Sequence, residues 1–188
     1  FFLGWLNSKA LGRVCRNMDR KKTSRFFRWG SGASGAGVAF MHGAQDGQKF
    51  MSIFVLAITL ATGVGQADQM ILPIWLMFFC ALNMGLGTAV GGERIIKSVG
   101  LDMVKLEPFQ GFAASVATFF CLMLSTFAGL PVSTTHTNTT AIMGVGAAKR
   151  KSAVKWGIAI DMVKTWVLTF PGCGLLGFAF AHLFLMFS

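Results

Sequence analysis

FQGFAASVATFFCLMLSTFAGLPVSTTHTNTTAIMGVGAAKR, residues 109–150, is the stretch that decides the fold. Residues 109–128 are apolar, and at 1.5 Å per residue such a run covers about 30 Å, enough for a helix to cross a bilayer. Pro131 cannot continue that helix, and it pushes the residue before it out of the α region. Ser133 is then a good N-cap for a second, shorter helix whose first turn presents Thr134, Thr135 and free backbone N–H groups. The basic cluster Lys149, Arg150, Lys151 and Lys155 marks a return to the cytoplasmic side. A membrane helix, a polar break and a half-helix are expected in that order.

The rest of the chain agrees with a membrane reading. Of its 188 residues 54% are hydrophobic and 13% charged, and the mean hydropathy is +0.61. A water-soluble fold of this composition would lack polar surface to cover itself, whereas a bilayer accepts an apolar exterior. Further spans are expected at 71–91 and at 156–187, the latter either one kinked helix or two shorter ones at Pro171-Gly172. Residues 49–64 read as helical and, with the small-residue run before them, as another crossing. Residues 93–107 alternate charged and apolar residues and read as an interfacial helix or connector.

Charge gives the organisation. The net charge is +10, and Lys9, Arg13, Arg16, Arg20, Lys21, Lys22, Arg25 and Arg28 crowd residues 1–30 with Asp19 as the one acid there. A nucleic-acid binder would spread its charge over a folded surface, so that class is excluded. The division expected is a basic cytoplasmic or interfacial linker segment at 1–30 and a membrane unit at 31–188. The linker reads equally as an amphipathic stretch on an anionic inner leaflet and as a solvated loop. Cys15, Cys80, Cys121 and Cys173 are dispersed without C-x-x-C or zinc spacing, so they read as packing residues, and neither a metal nor a cofactor is implied.

Two polar interruptions carry the chemistry: MHGAQDGQK (41–49) and GLPVSTTHTNTT (129–140). Unpaired polar groups in hydrocarbon are costly, so broken helices survive where they line a cavity or bind something. At the second break, Ser133, Thr134 and Thr135 with the helix N–H groups make an anion site, unless the hydroxyls merely cap a kinked helix. At the first, Asp46 between Gly43 and Gly47 is read as a helix interruption. It binds Na⁺ with Gln45 and backbone carbonyls, or carries H⁺, or simply pairs with Lys49. Taken together, an acid beside an anion-binding helix end couples a cation to an anionic solute. Protonated phosphate can donate a hydrogen bond to Asp46, whereas sulfate has no proton at neutral pH and is repelled.

His42 and His136 each lie in a break, and Asn83 lies inside a span; all three are candidates for the pathway. Asp161 and Lys164 are spaced to neutralise each other. No nucleophile, base and orienting acid stand at useful spacing, so no catalytic residue is assigned and the chain does not read as an enzyme.

At these breaks the sequence resembles the inorganic phosphate transporter (PiT) family, in its bacterial form. Gly43-Ala44-Gln45-Asp46 is similar to the family's G-A-N-D motif and continues as Gly47-Gln48-Lys49. Pro131-Val132-Ser133-Thr134-Thr135-His136 is similar to its P-V-S-T-T-H element, followed by AIMGVGAAKR (141–150). Further likeness lies in 91–100, 105–114 and 155–171. The resemblance implies an all-α membrane bundle with discontinuous helices, one half of an inverted-repeat secondary transporter. It also implies symport of inorganic phosphate with Na⁺ or H⁺, with phosphate on Ser133, Thr134 and Thr135 and the coupling ion on Asp46 and Gln45. Gln45 departs from the family's asparagine by one methylene. The setting implied is a bacterial inner membrane, with the basic N-terminal segment cytoplasmic. The partner implied is a missing N-terminal half or a second copy of the chain. The alternative is a truncated module that assembles with a partner half or senses phosphate without transporting it.

Overall fold

The computed structural model describes residues 1–17, 20–62 and 73–187. Among them are six α-helices and no strand: α1 (Phe2–Val14), α2 (Arg20–Thr62), α3 (Ile74–Ile95), α4 (Pro108–Phe127), α5 (Thr134–Lys149) and α6 (Trp156–Phe187). The protein is an all-α membrane helix bundle. Among the described residues three helices are long and apolar enough to cross a membrane, at Ile74–Glu93, Pro108–Phe127 and Trp156–Met186. Residues 49–62 form the end of α2, which is not among these three, and the remainder of the crossing expected at 49–64 lies outside the described residues.

The centre is α4, flanked by α2, α1 and α5. Pro108 opens it at the first helical position, where a missing N–H costs nothing, and the Gln110 Oε1 accepts from the Glu107 N–H at 2.9 Å. Its far end closes with paired bonds from Gly129 N to Thr126 O (3.1 Å) and from Leu130 N to Ser125 O (2.9 Å). Gly129 takes φ of 67°, the left-handed conformation such a cap requires, and Pro131 prevents resumption. The break after residue 128 is therefore present, as Pro131 predicts. Lys149 at the end of α5 pairs with Glu107 at the start of α4 and closes the hairpin.

α2 corrects an expectation. The stretch 41–49 is not an interruption: α2 runs through it as one helix of 43 residues. Two of the glycines in 30–48, Gly30 and Gly37, serve contact with α4 instead. A Cβ at Gly30 would stand 3.0 Å from the Phe112 ring, and one at Gly37 would stand 3.1 Å from the Phe119 ring. Close approach of this kind offsets the helix cost of glycine, about 1 kcal/mol each. Met41 and Gln45 continue the same buried edge, and Phe27 adds an aromatic contact to Phe112 with centroids 5.5 Å apart.

The expected boundary near residue 30 falls inside α2, and α1 packs across α5 and α4. Its Asn7 Nδ2 donates to Ala113 O at 3.0 Å. Residues Ile96–Met103, expected as an interfacial helix or connector, form a π-helical turn. Val99, Met103 and Val104 from this region join Ala113 and Ala114 of α4, Ile142 and Val145 of α5, and Ala159 of α6 in the buried apolar cluster. A bridge between Val104 and Val154 ties the two loops there. α6 is a single helix with Pro171 inside it, exposed along most of its length. Asp161 and Lys164 pair on it at 3.1 Å, as their spacing suggests.

Candidate functional site

The site forms where α2 passes the gap between α4 and α5. Ser133 caps α5 as expected: it is extended, with φ −78° and ψ 119°, and its Oγ accepts from the His136 N–H at 3.3 Å. The Ser133 carbonyl takes the Thr137 N–H at 3.0 Å. The N–H groups of Thr134 and Thr135 are thus the ones this helix end leaves without intrahelical acceptors. Thr134 is buried and Thr135 exposed.

Asp46 reaches this helix end from α2. Its Oδ2 accepts from the Thr134 hydroxyl at 3.3 Å and lies 3.5 Å from His42 Nδ1, one helical turn back. Its Oδ1 accepts from Lys49 Nζ at 2.8 Å. The same ammonium donates to the Val132 carbonyl, also at 2.8 Å. Asp46, Lys49, Thr134 and the chain just before Ser133 therefore form one hydrogen-bonded group. Its charges are a partly buried carboxylate, 21% exposed, and an ammonium, 39% exposed.

Gln45 takes a different direction. It is 4% exposed, and its Nε2 donates to Leu122 O at 3.3 Å and to Thr126 Oγ1 at 3.0 Å, both on α4. The Thr126 hydroxyl proton is already committed to Leu122 O at 2.8 Å, so only the amide nitrogen of Gln45 satisfies both neighbours. Its Oε1 is left buried without a hydrogen-bond partner. Asp46 and Gln45 are adjacent in sequence but face α5 and α4 respectively, so they share no bond.

On its α3 side Asp46 borders a cavity of about 400 Å³ that His42, Phe50, Phe79, Cys80 and Asn83 also line. This brings together Asp46, His42 and Asn83 of the expected set. Asn83 is exposed, and its Nδ2 donates to Phe79 O at 2.8 Å. His136 is not brought there: its ring lies on Trp166 of α6, with centroids 4.0 Å apart. Among the described residues no group of three or more His, Cys, Asp or Glu is placed to hold a metal ion. Sequence reading saw Lys49 only as a local partner for Asp46; its reach to Val132 depends on how α2 lies against the α4–α5 gap. Thr126 as the partner of Gln45 had no sequence signal.

Residues 8–177 match the model of the phosphate transporter family. The chain is 37% identical over 177 residues to a probable low-affinity inorganic phosphate transporter of Bacillus subtilis (strain 168), covering 94% of this chain and 53% of that relative. It is 43% identical over 135 residues to a protein of the same description from Rhizobium meliloti (strain 1021), covering 72% of this chain and 40% of the relative. It is 29% identical over 137 residues to sodium-dependent phosphate transporter 2 of Homo sapiens, covering 73% of this chain and 21% of the relative. The chain spans about half the length of the first of these relatives and less of the others. No solved structure matches it.

Proposed function

Because this chain belongs to the phosphate transporter family, we propose that it forms part of a carrier that moves inorganic phosphate across a membrane together with Na⁺ or H⁺. The observation that carries this reading is the approach of Asp46 to Thr134 at the start of α5, beside a cavity that reaches the carboxylate. Phosphate would take the N–H groups and hydroxyls of Ser133, Thr134 and Thr135, where the helix dipole favours an anion. Once the coupling cation has neutralised the carboxylate, a protonated phosphate oxygen would donate a hydrogen bond to Asp46, a bond that unprotonated sulfate has no proton to make.

The coupling cation would settle first on the Asp46 side and raise the anion affinity of the helix end. Gln45 Oε1, buried and without a donor, is an oxygen that a cation could take, although the Gln45 amide is held to α4 and shares no bond with Asp46. His42 and Asn83 would line the approach, while His136 packs on Trp166 and would act outside it. Access would alternate by rocking of this unit against an N-terminal half or a second copy. The setting would be a bacterial inner membrane with the basic N-terminal residues in the cytoplasm. A second reading is a half that assembles with a partner half or senses phosphate without moving it. Expression alone and together with a relative's N-terminal half separates the two, since only a transporter gives uptake in the second case.

Radiolabelled phosphate uptake into vesicles, with that half supplied, tests the site. Ser133→Ala and Thr134→Ala should each cut apparent phosphate affinity about tenfold, as loss of a hydrogen bond to an anion does. Asp46→Asn should abolish uphill accumulation and its ion dependence. Unchanged uptake and ion dependence in all three variants would overturn the assignment.

A further inference from the structure

We propose that Lys49 is a phosphate ligand held in reserve by Asp46 together with Thr134, and that neutralising Asp46 hands both donors to phosphate. The proposal rests on the site reading above and gives it a physical cause of coupling. The Asp46 carboxylate is itself an oxyanion, and here it takes the donors an incoming phosphate would need. Oδ1 holds the Lys49 ammonium at 2.8 Å and Oδ2 holds the Thr134 hydroxyl at 3.3 Å. The second bond of Lys49, to Val132 O at 2.8 Å, fixes the ammonium next to Ser133, at the mouth of the α5 N-terminus. Through Asp46 that ammonium and the Thr134 hydroxyl already share one carboxylate, so both stand where a single oxyanion is held.

The charges then explain the order of binding. While Asp46 is ionised and bare, it competes with phosphate for the same donors and also repels it. A cation or proton on the carboxylate removes the repulsion and weakens its hold on Lys49 and Thr134. Charge-assisted bonds to phosphate are about twice as strong as neutral ones, so the freed ammonium favours the anion. A static Asp46–Lys49 ion pair, serving stability alone, makes no such link.

Equilibrium binding of ³²P-labelled inorganic phosphate to the detergent-purified chain, without added Na⁺, separates these cases. Asp46→Asn should raise phosphate affinity about tenfold, because the competitor for the donors is gone. Lys49→Gln should lower affinity about tenfold, and adding Asp46→Asn to it should recover only a small part of the gain. Lys49→Arg keeps the charge and should keep the full response to Asp46→Asn. Thr134→Val should blunt that response while leaving Lys49 in place, so the outcome does not depend on one variant folding. An equal effect of Asp46→Asn with and without Lys49, or an unchanged affinity in Lys49→Gln, would overturn the proposal. If Ser133→Ala and Thr134→Ala leave binding untouched, the site reading fails first, and the two failures are thereby told apart.

Discussion

Residues 41–49 and residues 129–140 carry similar warnings against a helix, each setting glycine and a run of polar residues into apolar surroundings. Yet α2 runs unbroken through the first, whereas the chain leaves the helix at the second. The difference lies in what each stretch removes from the helix. Glycine raises the cost of a turn by about 1 kcal/mol but leaves its hydrogen bond intact, and neighbours can outweigh that. α2 has such neighbours in the Phe112 and Phe119 rings and in the bonds from Gln45 to α4. Proline removes the N–H and clashes with the preceding turn, and at Pro131 it acts with the left-handed Gly129 and the Ser133 cap to end the helix, whereas α6 carries Pro171 without ending. One stretch therefore presents side chains from a rigid rod, and the other presents bare backbone at a helix end.

The largest expected effect comes from making the first stretch resemble the second. Gly43→Pro places a ring against the turn before it in a helix that has no break there, at a cost of about 3 kcal/mol or more. Thermal unfolding in detergent, followed by circular dichroism, should show a large loss of stability and of helicity. Since α6 keeps its helix through Pro171, retained helicity alone decides nothing, and it is an unchanged unfolding midpoint that would mean no helical hydrogen bond was lost at 43 and that the contrast is false.

Gly37→Leu ranks next. The new Cβ would stand 3.1 Å from the Phe119 ring, and the rest of a leucine side chain must displace that ring, at about 1–3 kcal/mol. Gly43→Leu is the matched control, since nothing lies within 4 Å of a Cβ there. The same unfolding measurement should show a loss at 37 and none at 43. Equal losses would remove contact with α4 as the reason for the small residues.

These results bear on how much was readable beforehand. The α4–α5 break was legible because its signals are local and act together: Gly129 ends one helix, Pro131 keeps it from resuming and Ser133 caps the next, whereas Pro171 without such company stays inside α6. The all-α class and three spans were legible from apolar run length. The continuity of α2 was not, because it depends on which rings of α4 face Gly30 and Gly37. Asp46 and Thr134 were picked out from residue type and expected side by side, and the structure puts a hydrogen bond between them. The separation of Gln45 from Asp46 follows from the 100° turn per residue of an unbroken helix, a fact hidden once a break had been assumed there. Placing His136 on Trp166 needed the path of α6.

The smallest expected effect is the sharpest, because it isolates backbone conformation from everything else. Gly43 and Gly129 both have open space where a Cβ would go. Adding a methyl group at either therefore meets no neighbour, and the two alanine variants differ only in the dihedral angles the new residue must adopt. At 43 the angles are those of a helix interior, so Gly43→Ala should raise stability by about 0.5–1 kcal/mol. At 129 the φ of 67° sits in the left-handed region, where a Cβ crowds the following carbonyl, so Gly129→Ala should lower stability by about 1–2 kcal/mol. Opposite signs in the unfolding midpoints are the expected result. A shared sign would mean that one of the two glycines is not in the conformation described, and a stabilising alanine at 129 would point to a continuous helix where the phosphate site is proposed.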